Sequence, residues 1–68
     1  MQEQKYFISY VGYIEGGGDT FLNDIIFIDE EITSELIQDI QDSLLNKLNE
    51  ERLSNPYFAT QIINIVKL

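Results

Sequence analysis

Only one stretch of this 68-residue chain spaces its apolar residues as a helix does, while three stretches are apolar on both faces of a β-strand. That imbalance constrains the fold more than any other feature. A single helix covers one face of a small sheet, and a sheet with one wet face should alternate apolar and polar residues. In Lys5 to Ile14 the two faces are Tyr6, Ile8, Tyr10 and Phe7, Ser9, Val11, Tyr13. In Phe21 to Asp29 they are Phe21, Ile25, Phe27 and Leu22, Ile26, Ile28. In the last stretch, 60–68, strict alternation sets Ile62, Asn64 and Val66 against Ile63, Ile65 and Lys67. Aromatic and β-branched side chains dominate all three, which is strand composition.

Between the first two strands lie Gly16, Gly17 and Gly18, flanked by Glu15 and Asp19. Glycine reaches positive φ without strain, as a tight hairpin connection requires. The helical stretch carries Leu36, Ile37, Ile40, Leu44, Leu45 and Leu48 at spacings of three and four. Thr33 suits the N-cap, Ile32 and Ile37 stand at staple spacing, and Asp29, Glu30, Glu31 and Glu35 crowd the positive end of the helix dipole. Asn55-Pro56 ends whatever helix remains.

The order is therefore β-β-α-β in one domain over residues 1–68. The expected architecture is α+β: a three-stranded, mostly antiparallel sheet in the order 2-1-3 with one helix packed on one face. The uncovered apolar face then needs a second layer, and self-association as a homodimer or higher homo-oligomer through the sheet supplies it. Size argues the same way, because a chain this short has a marginal core. It has neither Cys nor His, so disulfides and the commonest soft metal ligands are absent from the sequence.

Twelve acids against four bases give a net charge of −8. Lys5, Lys47, Arg52 and Lys67 are too few to form the phosphate-neutralising footprint of a duplex-binding protein, so no nucleic-acid duplex is expected as a partner. No apolar run is long enough to span a bilayer and no leader opens the chain, so the expectation is a cytoplasmic protein without a membrane partner.

Catalytic chemistry has little to start from. The usual general base and the thiol nucleophile are missing, and Ser9, Ser34, Ser43 and Ser54 have no activating His. Asp39 and Asp42 read as a solvated helix face, and Glu15, Asp19 and Asp24 lack the ligand order of a calcium loop. The glycine triplet matches neither the Walker loop nor the dinucleotide fingerprint, and it leads into a strand. The expectation is a protein that is not an enzyme and uses no cofactor. The candidate ligand-binding residues are Tyr6, Tyr10 and Tyr13, whose rings stack on bases, the amides of Gly16, Gly17 and Gly18, and Asn23, an amide inside a strand like Asn64.

"KYFISYVGY", a glycine-rich turn, an acidic amphipathic helix and a terminal "IINIVKL" together resemble a group of very small phage and prophage proteins. The tight match is Tyr6, Phe7, Ile8, Ser9 and Tyr10; the "GGGDTF" turn and the stretch through Asn55-Pro56 depart from the group's pattern. The resemblance implies an accessory protein that blunts host defence by stoichiometric capture rather than by catalysis. Two readings follow. One is sequestration of a nucleotide-derived immune signal, with Tyr10 and Tyr13 on a base, the glycine amides at phosphate, and Lys5 or Lys67 supplying charge. The other is an acidic decoy for a basic surface of a host defence protein, carried by Glu35, Asp39, Asp42, Glu50 and Glu51; a structural phage protein is the plain alternative. Along the sequence the acids look spread rather than arrayed in one strip, which favours the first.

Overall fold

The computed structural model describes residues 2–50, 52 and 54–68. Strand β1 (Gln4–Ile14) is followed by β2 (Thr20–Ile28), helix α1 (Ser34–Asn49) and β3 (Tyr57–Lys67). The sheet order is β2-β1-β3, with β1 antiparallel to both neighbours. The expected α+β architecture is the one observed.

The hairpin turn shows why three glycines stand in a row. The amide of Gly17 donates to the Ile14 carbonyl at 3.1 Å, and Gly16, Gly17 and Gly18 have φ of 93°, 101° and 98°. A side chain at any of them would strain the backbone, although nothing crowds the space around them. The turn sets a regular register in which Ile8 pairs with Asp24, Ser9 with Asn23 and Val11 with Phe21.

Helix α1 begins where its cap predicts. The Thr33 hydroxyl accepts from the Leu36 amide at 3.1 Å, satisfying one of the free N–H groups of the first turn. The helix lays Ile40, Leu44 and Leu48 over Ile8 and Tyr10 of β1, with Leu22 and Ile26 of β2 and Ile62 and Ile65 of β3 around them. Ile8 is fully buried at the centre. The helix ends at Asn49, well before Pro56, and the Asn49 amide then clamps the start of β3. Its Nδ2 donates to the Tyr57 carbonyl and its Oδ1 accepts from the Tyr57 amide, both at 2.9 Å.

β3 departs from the expected strand in two ways. It starts at Tyr57, so Tyr57 and Phe58 belong to it rather than preceding it. Its register to β1 shifts between Ser9 and Tyr10 and again between Tyr13 and Ile14. The first shift inserts Ile63 as an extra residue, and a bulge of this kind inverts the alternation beyond it. Ile62 pairs with Tyr10 and Ile65 with Ile8 on the helix side, while Asn64 pairs with Ser9 and Val66 with Phe7 on the other. Strict alternation, which puts Ile62 with Asn64 and Val66, is thus corrected. Gln41 of the helix secures the bulge: its Oε1 accepts from the Ile62 amide at 2.8 Å, and its carbonyl accepts from the Thr60 hydroxyl at 2.6 Å.

Both β2 and β3 are edge strands. The Leu68 amide donates to the Lys5 carbonyl, so the odd residues of β1 aim their backbone at β3 and the even ones at β2. The odd residues of β2 consequently direct N–H and C=O outward. Ile25 fits this pattern, because its amide donates to the Asp24 carboxylate at 2.8 Å instead of to a strand.

Candidate functional site

The sheet face away from α1 is built from the odd residues of β1 and β2 and from what the bulge delivers from β3. Phe21 and Phe27 stand out at 75% and 58% exposure, and Ile25, Phe58, Ile63 and Val66 are also exposed. Val11 lies in the middle of this face yet is buried by its neighbours. Across the centre runs a polar row. Asn23, Ser9 and Asn64 are cross-strand partners, and the Ser9 hydroxyl donates to Asn23 Oδ1 at 3.1 Å. Toward the glycine tip, the Tyr13 hydroxyl donates to Gln61 Oε1 at 2.8 Å, and the Phe58 ring lies 6.3 Å from the Tyr13 ring. The strand residues give this face one charge, Lys5; the only strand acid, Asp24, and the other strand base, Lys67, pair with helix-side residues.

The residues nominated from sequence divide between the two faces. Tyr13 and Asn23 lie on the open one, with Gly16 to Gly18 at its end. Tyr10 lies beneath the helix at 4% exposure, and Tyr6 shares its side of β1. Tyr10 and Tyr13 therefore sit on opposite sides of the sheet and present no joint stacking platform. Burial raises the Tyr10 phenol above its ordinary pKa, and the negative charge of Asp24 adds to the shift. Asp24 also holds Lys47 of the helix at 3.1 Å; this hydrogen bond, then the charge of Asp24, raises the Lys47 ammonium. Asp24 is thereby far from Glu15 and Asp19 at the tip, and the three do not converge on a cation.

On the helix side, α1 leans toward β3 and leaves an open groove of about 410 Å³ against β2, lined by Ile26, Leu36, Ile40 and Leu44 with Asp39 and Lys47 at its rim. Its lining is mostly apolar.

The solvent side of α1 carries the second surface. At 100° per residue, Glu35, Asp39, Asp42 and Glu50 fall within about 80° of one another, opposite the buried Leu44. All four are exposed. The acids of the helix are thus arrayed in one strip, contrary to their spread look along the sequence; Glu51 lies outside the described residues. The strip runs about 22 Å, roughly one negative charge per 6 Å, about half the density along one duplex strand. Gln38 Nε2 donates to Asp42 Oδ1 at 3.0 Å and is the side-chain partner found for the strip among the described residues.

Two faces and one helix define the class: a small α+β sheet protein with an aromatic face carrying one charge, Lys5, and an acidic outer helix. Comparison with protein-family models, with curated proteins and with solved structures finds no match. Among the described residues no helix is long and apolar enough to cross a membrane.

Proposed function

We propose that this chain is a stoichiometric binding protein, working in the setting of the phage accessory proteins it resembles, whose acidic helix docks on a basic surface of a partner protein. The observation that carries this reading is the single strip of Glu35, Asp39, Asp42 and Glu50 on the solvent side of α1. Like charges three and four residues apart weaken a helix by a few tenths of a kcal/mol per pair, and a purely structural helix has no need of that penalty. A strip of one sign also steers a basic partner into place and makes the complex salt-sensitive. The reading lives on side-chain placement, not on net charge alone, since the same acids scattered around the helix would present no line.

The test compares the protein with a Glu35→Gln, Asp39→Asn, Asp42→Asn variant as immobilised baits in bacterial lysate. The wild type should retain basic proteins at about 0.05 M salt and release them by about 0.5 M, and the neutralised helix should retain far less. An identical set of captured proteins on both baits would sink the proposal.

A nucleotide-like ligand is the second reading, and one cluster favours it. Tyr13, Phe58 and Gln61 stand together beside the glycine tip, where a base would find an aromatic wall, an amide and backbone N–H groups of the turn besides the bonded Gly17 amide. Titration calorimetry with cyclic and ADP-ribose nucleotides should then give heat that Tyr13→Ala abolishes; silence across the panel would remove this reading.

A further inference from the structure

We infer that the open sheet face is covered by the same face of a second copy, and that the Ser9, Asn23, Asn64 row sets the register of that dimer. Exposed area points first to a missing layer. The chain exposes 4896 Å², whereas a folded monomer of this mass exposes about 4,400 Å². Three strands about 4.8 Å apart and about 33 Å long span roughly 470 Å² in projection, which places the dimer at the small end of interfaces, below the ~800 Å² per partner of the standard size.

Charge then selects the occupant. At net −8, two copies repel wherever their acids meet. The open face is the part of the sheet from which strand acids are missing, with Lys5 at its end, and the acidic strip of α1 points the opposite way. Face-to-face packing keeps the two helices outside, in four layers, and separates their charges by the full thickness of the sandwich.

The polar row fixes how the faces meet. Asn23 and Asn64 are exposed, and burying an amide against phenylalanine would leave it without a hydrogen-bond partner. Two-fold symmetry avoids this where the axis lies between the sheets and passes over Ser9. Row then lies on row, whether the axis runs along β1 or across it, and the aromatic residues on either side meet one another. With the axis across β1, a register displaced by one same-face step sets Ser9 against Phe7 or Val11 and Asn23 against Phe21 or Ile25.

Sedimentation equilibrium of the full chain near 50 μM tests the dimer. The expected result is a dimer that tightens as salt rises, because screening weakens repulsion between the acidic outer layers. Phe21→Asp with Phe27→Asp should give a monomer with unchanged far-UV circular dichroism, since both side chains are already exposed and contribute little to the monomer core. Asn64→Asp should be monomeric at neutral pH and recover the dimer when the new carboxyl is protonated, because face-to-face packing buries that carboxylate. A monomeric wild type, or a dimer indifferent to the double Asp variant, overturns the inference; the second outcome would instead indicate pairing along the outer edge of β2. An Asn64→Asp dimer equally stable at every pH overturns the burial of the row in that interface. The outcomes that overturn the dimer do not depend on the acidic strip, so this inference and the proposed docking of α1 fail separately.

Discussion

Gly12 is required by its neighbour rather than by a turn. A Cβ built there would stand 2.7 Å from two carbons of the Tyr57 ring and 3.4 Å from Leu48 Cδ1. That ring is itself held, by the Asn49 clamp on its backbone and by the Arg52 guanidinium 4.6 Å above it, so it has little room to retreat. Gly12→Ala should therefore destabilise the fold by about 1–3 kcal/mol, read as a lower urea midpoint. Tyr10 gives a pH signature. Its folded pKa is raised, so its contribution is fully present below the ordinary tyrosine value of about 10 and is lost as pH climbs through the folded value. Lys47, also raised, acts in the same direction. The urea midpoint should thus hold steady up to about pH 10 and fall above it, and Tyr10→Phe should flatten that fall. Neither role was legible in the sequence. Gly12 reads there as an ordinary strand glycine and Tyr10 as a ligand-stacking candidate, because what decides both is a residue brought over by α1 or β3.

Helix α1 was legible almost to its first residue, and the bond between Thr33 and the Leu36 amide explains why: a cap is a local contact written within four positions. Thr33→Ala should cost about 1 kcal/mol of stability, checked by chemical denaturation, with Thr33→Ser close to neutral. β1 and β2 were legible as well, faces included, since a regular hairpin keeps its alternation from the turn outward. β3 was legible as a strand but not in its faces. Its Ile63 bulge has no signature in "TQIINIVKL", because the bulge is stabilised by Gln41, which arrives from the helix. That one insertion moves Asn64 beside Ser9 and so completes the polar row. It also blunts β3 as an edge, whereas β2 remains regular.

At the scale of the whole molecule, charge opposes compactness. A net charge of −8 on a chain with a marginal core makes self-repulsion a noticeable part of the balance, and the one cross-element ion pair among the described residues, Lys47 with Asp24, has little to lose to screening. The Tm should rise when salt is increased from about 0.02 to about 0.5 M; a lower Tm at high salt would mean that attractive pairs outweigh the repulsion.

Composition and spacing by themselves determined the element order, the hairpin, the helix cap and the surplus of apolar residues that one helix cannot cover. These follow from contacts a few residues apart, or from counting. Only the tertiary structure decided which face of the sheet is covered and which residues of β3 and of the helix come together. The helix buried Tyr10 and left Tyr13 half-buried on the other face, the winding of α1 gathered scattered acids into a strip, and the bulge in β3 carried Asn64 to the open face. Each depends on atoms that meet across the fold, which alternation along a single strand does not encode.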